Sequence, residues 1–375
     1  MRCRAPLKIN DVTLRLFAWD GLPAARYAAQ SRVEAGSGVL GLLTLTTDGG
    51  LAGHAFLGSA FYPADVDAQG LMHFLKPLVL GRDPLRRERI VADLWTRSRM
   101  TSVRTIGAVD VALWDLAGKI AGLPIHALLG TFRESVPAYA SSAILDSPEA
   151  YAAEAVHYQT AGWCGYKIHP PQNWREDIAV CQAVRAAVGP TYPLMLDAAW
   201  SYPYDVALRV GRAIEELGFV WYEDPLAERD IYNCAKLREK LDIPLMATEY
   251  PPHGLDAYAP WLLLRATDYL RGDVAVKGGI TTLVKAAHLA EAFGLKFEVH
   301  HGGNSLNNVA NLHVLAAIGN ADYFEVLLPD AAHRYGLELE IEVDAAGLVH
   351  APREPGLGVP IDFALIERKQ LATLR

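Results

Sequence analysis

LMLDAAW (residues 194–200), WYEDP (221–225) and MATEY (246–250) place Asp197, Glu223 and Glu249 at two successive intervals of 26 residues. Each acid closes a short run of buried-strand character, and each run leads into a helical stretch. That period fits one strand, one helix and their turns. Acids ending successive strand–helix units converge on one point only if the strands are parallel neighbours. A hard divalent cation needs such a cluster of oxygen ligands.

Outward from this core the repeat continues. The strands read as VPAYASS, GYKIH, YPLMLDA, FVWYEDP, PLMATEY, YLRGDV, LKFEVHH and DYFEVLL, with helical stretches such as REDIAVCQAVRAAVG and TTLVKAAHLAEAFG between them. Eight such units predict an α/β fold, a (β/α)8 barrel over residues 131–339. A doubly wound sheet has no reason to carry acids at so many adjacent strand ends. Residues 1–130 read differently. LKINDVTLRLFAW and SGVLGLLTLTTDGGLAGHAFLG alternate apolar and polar residues around a DGG turn, and helical patterns follow. Strands first and helices afterwards predict an N-terminal α+β capping domain. The tail, residues 340–375, is turn-rich with short strands and is expected to return to complete that domain.

With 375 residues, 51% of them hydrophobic and 21% charged, the chain can bury a substantial core. A formal charge of −8 without any basic run argues against nucleic acid. The start lacks a leader pattern, and no apolar run of about 18 residues predicts a membrane span. Cys3, Cys164, Cys181 and Cys234 show no CxxC spacing, so reduced structural thiols and a cytoplasmic protein are expected.

The functional face of such a barrel is the C-terminal end of its strands. The polar residues there are Lys167, His169, Asp197, Glu223, Glu249, Asp273, His300 and Glu325. Any one acid at a strand end is ordinary, because acids favour the N-terminus of the next helix. Three in one register point instead to an oxygen-only site for Mg²⁺, with positions left for water and substrate. A cation chelating a substrate carboxylate would stabilise the dianion formed when the adjacent carbon loses its proton. Lys167 and His169 lie two apart on one strand and point the same way. Asp273 on the sixth strand can orient His300 on the seventh as an acid–base pair. Glu325, if protonated, can hydrogen-bond the developing enediolate. His301, His313 and His333 are read as structural or surface histidines, and Asp230, Asp256 and Glu291 as helix-surface acids.

The stretches RTIGAVDVALWDLAGKIAGLPIHALLG, GYKIH, MLDA, WYEDP, TEY, GDVAVKGGIT, FEVHHGG and YFE, from about residue 105 to 325, resemble the enolase superfamily and its mandelate racemase-like subgroup. The resemblance implies Asp197, Glu223 and Glu249 as Mg²⁺ ligands, Asp273 and His300 as the dyad, and Glu325 facing the substrate carboxylate. It also implies a homo-oligomer. His300 is preferred to His301 because it lies six residues after Gly294, the register of the family's seventh strand. Two departures stand out. The usual Lys-x-Lys is Lys167-Ile168-His169, and the Asn expected two residues after the metal Asp is Ala199. The HHGGNSLNN stretch is longer than the matching loop of mandelate racemase, which argues against that activity.

Members of this subgroup abstract a proton next to a carboxylate and then diverge. The expected reaction is dehydration of an aldonic or aldaric acid to a 2-keto-3-deoxy acid, the dyad serving both abstraction and departure. Racemisation, epimerisation or cycloisomerisation on the same site is the alternative. A barrel that binds a small acid without turnover is the non-enzymatic one. Cap loops should select the distal end of the substrate. Candidate contacts are the loop around Trp19–Arg26, His54, Phe61, Tyr62, Trp200, Tyr202 and His301.

Overall fold

The computed structural model describes residues 7–29, 31–250 and 253–375. The N-terminal sheet is built from β1 (Ile9–Leu22), β4 (Gly36–Thr47) and β5 (Ala52–Leu57), with a small antiparallel pair, β2 (Ala25–Arg26) and β3 (Arg32–Val33), in the loop between β1 and β4. Buried positions along β1 broadly alternate with exposed ones, as a half-covered sheet requires. The β4–β5 hairpin turns at the DGG stretch, where Gly50 adopts φ +79°. Helices Ala64–Gly70, Lys76–Val79, Arg87–Trp95 and Val103–Ala121 follow. The last of these packs against β5 and β4 and carries the RTIGAVDVALWDLAGKIAG motif.

Eight parallel strands form the barrel: β6 (Ser135–Ser141), β7 (Tyr166–Ile168), β8 (Leu194–Asp197), β9 (Tyr222–Glu223), β10 (Leu245–Ala247), β11 (Tyr269–Gly272), β12 (Lys296–Val299) and β13 (Phe324–Leu327). They match the eight predicted runs. Ladder pairing proceeds from β12 back to β6 and on to β13. The remaining seam, between β12 and β13, is closed differently. The buried Glu298 carboxylate accepts from the N–H groups of Asp322 (2.7 Å) and Tyr323 (3.2 Å). A further strand, β14 (Leu348–His350), adds antiparallel to β6. The chain then returns to the N-terminal sheet, where β15 (Gln370–Leu374) pairs with β1.

Side-chain caps define the barrel helices. Ser147, Asn173, Asp230 and Asn304 each accept a backbone N–H of the helix that follows them. Asp230 is therefore a cap and not simply a surface acid. Cap and barrel are locked together by Asp110, which accepts from Thr281 N (2.9 Å) and Thr281 Oγ1 (2.6 Å). The contact is so close that a Cβ on Gly279 would lie 2.2 Å from the Asp110 carboxylate. That explains the second glycine of GDVAVKGGIT; at the first, Gly278, a Cβ would lie 2.5 Å from the Trp95 ring. No helix among the described residues is long and apolar enough to cross a membrane.

The interior of the barrel is layered. Its lower part is plugged by Tyr139, Met195, Trp221 and Met246, with Tyr269 and Tyr323 packed against them. Ring centroids are 5.7 Å apart for Tyr139–Trp221 and 5.9 Å for Trp221–Tyr323. This aromatic floor supports the polar layer above it and separates that layer from water below.

The seam makes a stability prediction. Glu298→Ala leaves two partly buried N–H groups without an acceptor and is expected to cost roughly 2–4 kcal/mol, read as a lower denaturation midpoint. Glu298→Gln, which keeps one acceptor oxygen, is expected to lose about half as much.

Candidate active site

All eight polar strand-end residues lie together at the barrel mouth or just beneath it. Asp197, Glu223 and Glu249 are buried, and one oxygen from each falls within 4.8 Å of the others. The backbone turns sharply after each of these strands: Ala199 (φ +46°), Trp200 (+61°), Asp224 (+41°) and Thr248 (+81°) are all left-handed. Non-glycine residues in that region are strained and are held there by their surroundings. Ala199, which replaces the Asn of the subgroup pattern, uses its N–H to hold Asp197 Oδ1 at 2.9 Å. A buried set of hard oxygen donors is what Mg²⁺ requires, so Asp197, Glu223 and Glu249 fit that ion.

Lys167 is wholly buried with its ammonium among three carboxylates: Asp197 (3.2 Å), Glu223 (2.9 Å) and Glu325 (2.7 Å). Burial and Arg271 act to lower its pKa, but Glu223 and Glu325 outweigh them and raise it well above the ordinary lysine value. In this arrangement it is a counter-charge rather than a base. His169 lies on the same side, as the two-residue spacing requires. Its Nδ1–H donates to the Ser142 carbonyl at 2.7 Å, which turns Nε2 toward the site, 3.1 Å from Asp197. The carbonyl can only accept, so Nδ1 carries a proton and Nε2 is the nitrogen turned to the site, beside the Asp197 carboxylate.

Across the mouth, His300 Nδ1 lies 2.5 Å from Asp273 Oδ2, and its Nε2 is 3.4 Å from Glu249. Asp273 is itself fixed by the N–H groups of Ala275 (2.7 Å) and Val276 (2.8 Å). Burial disfavours the imidazolium, yet Glu249 and Asp273 together overcome this and raise His300 to about 9. Glu325 behaves differently from expectation. Burial would raise its carboxyl, but Arg271 and Lys167 hold it well below the usual range. It is therefore an anion and an acceptor here, not the protonated donor anticipated for an enediolate.

A cavity opens above these groups, roofed by Tyr27, Phe61, Trp200, Tyr250 and Leu327. Trp200 is thus placed where the sequence suggested. Tyr62 sits further out, half-exposed, with Arg104 stacked 4.5 Å from its ring. Three other candidates point elsewhere. His54 lies in the cap sheet, 3.1 Å from Thr44 Oγ1 and packed on Phe363. Tyr202 donates at 2.5 Å to Asp177, in the first turn of the helix that follows β7. His301 is turned into the barrel wall, its ring 4.1 Å from Phe324 and its pKa lowered by burial to about 3.

Several residues at the site were missed from sequence. Tyr27 lies just beyond the Trp19–Arg26 loop; its hydroxyl donates to the Leu328 carbonyl (2.7 Å) and lies 3.0 Å from His333 Nε2. His333 is accordingly a structural partner of a cavity residue. Tyr250 follows Glu249 directly, with no pattern to mark it. Arg271 stands two residues before Asp273, and that spacing was the available signal that it faces inward.

The comparisons agree with this geometry. Residues 150–365 match the family described as enolase C-terminal domain-like, and residues 23–130 the mandelate racemase / muconate lactonizing enzyme N-terminal domain. An arabinonate dehydratase from Saccharolobus solfataricus is 31% identical over 78% of this chain and 80% of its own. A D-galactarolactone cycloisomerase from Agrobacterium fabrum is 30% identical over 76% and 80%. The crystal structure of D-glucarate dehydratase from Agrobacterium tumefaciens complexed with magnesium is 36% identical, covers 97% of this chain and 99% of its own, and superimposes with a TM-score of 0.89. The chain belongs to the enolase superfamily, in its mandelate racemase and muconate lactonizing enzyme branch.

Proposed function

We propose that the protein is a Mg²⁺-dependent dehydratase of an aldonic or aldaric acid, with Asp197, Glu223 and Glu249 as the residues that hold the ion. The magnesium complex of the D-glucarate dehydratase and the dehydratase activity named for its relatives support this reading. When bound, the cation supplies a Lewis acid for the substrate carboxylate and stabilises the dianion left by loss of the adjacent proton.

The observation that carries the mechanism is that two imidazoles flank the carboxylate run at its two ends, each with Nε2 toward the site. Their surroundings differ, and that difference supports dividing two tasks that one dyad was first expected to share. His169, held by Ser142 with Nε2 toward the site, takes the proton next to the substrate carboxylate in its neutral form. His300, kept protonated by Glu249 and Asp273, gives its proton to the departing hydroxyl on the neighbouring carbon. The enol so formed becomes the 2-keto-3-deoxy acid. Lys167, charged and immobile, stabilises the developing negative charge from below. The aromatic roof excludes water while the substrate is bound. Return of a proton by the opposite imidazole would instead invert the carbon, so the same geometry accommodates an epimerase or cycloisomerase.

A panel of aldonic and aldaric acids incubated with Mg²⁺ in D₂O tests the reading: the expected product is a 2-keto acid. Recovery of inverted or ring-opened substrate without keto acid would assign the isomerase alternative, and inert substrates throughout would leave a binding protein. With a turned-over acid in hand, His300→Asn is expected to lower dehydration about 10³-fold while deuterium still enters the α-carbon. His169→Asn should abolish that exchange. Loss of exchange in the His300 variant would return both tasks to the dyad. Because His300 acts as an acid, kcat/KM should fall as pH rises through its elevated pKa. Asp273→Asn removes a group that raises this pKa, so the alkaline limb is expected to move to lower pH.

A further inference from the structure

Arg271 projects from β11 into the centre of the barrel and is wholly buried. Its Nε pairs with Glu223 Oε1 and lies 3.7 Å from Glu249, and its Nη2 donates to Glu325 Oε2 at 2.5 Å. Lys167 reaches the other oxygen of each of the same two acids, Glu223 Oε2 (2.9 Å) and Glu325 Oε1 (2.7 Å). Two cations and two carboxylates thus close a ring, with Trp221 Nε1–H adding a bond to Glu223 Oε2 at 3.2 Å. Underneath is the aromatic floor, so no water screens these charges from that side. A carboxylate cluster in such a medium repels itself strongly, and removing one buried partner exposes the full cost. The planar fork of Arg spans two carboxylates, which the single ammonium of Lys cannot do in the same way.

We propose that Arg271 is an internal counter-cation of the site: it positions Glu223 and Glu325 when no divalent cation is bound and opposes that cation when it arrives. The proposal rests on the reading of Asp197, Glu223 and Glu249 as a metal site. It follows that the site stays assembled without its ion, and that part of the affinity available from three carboxylates is given up for this. Arg271 is a positioning residue, separated from the cavity by the acids it holds.

Thermal melts of the full-length protein in EDTA and in saturating Mg²⁺, with calorimetric Mg²⁺ titration, provide the test. Arg271→Gln is expected to lower Tm by about 8 °C in EDTA and by less than half of that in Mg²⁺. By linkage it should bind Mg²⁺ more tightly, about tenfold. Arg271→Lys, which keeps the charge but not the fork, should fall between wild type and Arg271→Gln. If Arg271→Gln does not fold in EDTA, its recovery on refolding into Mg²⁺ and the paired melts of Arg271→Lys carry the same expectation. Equal losses with and without Mg²⁺, together with unchanged Mg²⁺ affinity, would mean an ordinary structural ion pair and overturn the proposal alone. A wild-type protein that binds no Mg²⁺ would overturn the metal reading and this proposal with it.

Discussion

Two buried cations set against a cluster of carboxylates are the constraint on which this molecule turns. Lys167 and Arg271 share Glu223 and Glu325 between them, above a floor of Tyr139, Trp221, Tyr269 and Tyr323 that keeps water out. Charges in such surroundings interact far more strongly than at a surface. The rest of the structure serves to hold this layer in place. The parallel strands bring the groups into one ring, the left-handed turns at Ala199, Trp200, Asp224 and Thr248 aim the loops around it, and the cap closes over it through Tyr27 and Phe61.

The same electrostatics divides the titratable residues by task. Glu325 is held as an anion because both cations reach it, while His300 is held protonated because Asp273 and Glu249 face it. His169 is held by a neutral carbonyl, Ser142 O, which fixes which of its nitrogens faces the site. The histidine at residue 169, where the family pattern has lysine, thus leaves an imidazole Nε2 facing the cavity beside Asp197. Ala199 in place of Asn removes a side chain, yet its backbone N–H still holds Asp197.

Much of this was legible in the order of residues. A barrel repeats one local unit, so strand–helix periodicity and the acids at the strand ends could be read directly. The alternation of side chains along a strand also placed Lys167 with His169 correctly. Reading failed where position depends on the path of a loop. Tyr27 was missed by one residue beyond its loop, and His54 was assigned to a cavity although its strand turns it toward Phe363. Tyr202 and the substrate contact suggested for His301 failed for a related reason, since residues near a strand end can point away from the mouth, while the structural reading of His301 agrees with its place in the wall. Arg271 was overlooked although its spacing from Asp273 placed it on the inward side, because the acids that hold it, Glu223 and Glu325, come from other strands.

By itself, then, the sequence determined the repeating unit, the approximate strand ends and the set of acids that could share an ion, because these follow from local periodicity and from side chains alternating along a strand. Only the tertiary structure decided the ionisation and aim of those groups. Whether Glu325 donates or accepts, which nitrogen of His169 faces the cavity and where Arg271 finds its partners all depend on residues that are distant along the chain. Burial beside those partners sets the charge state, and that is a property of the closed barrel rather than of any segment within it.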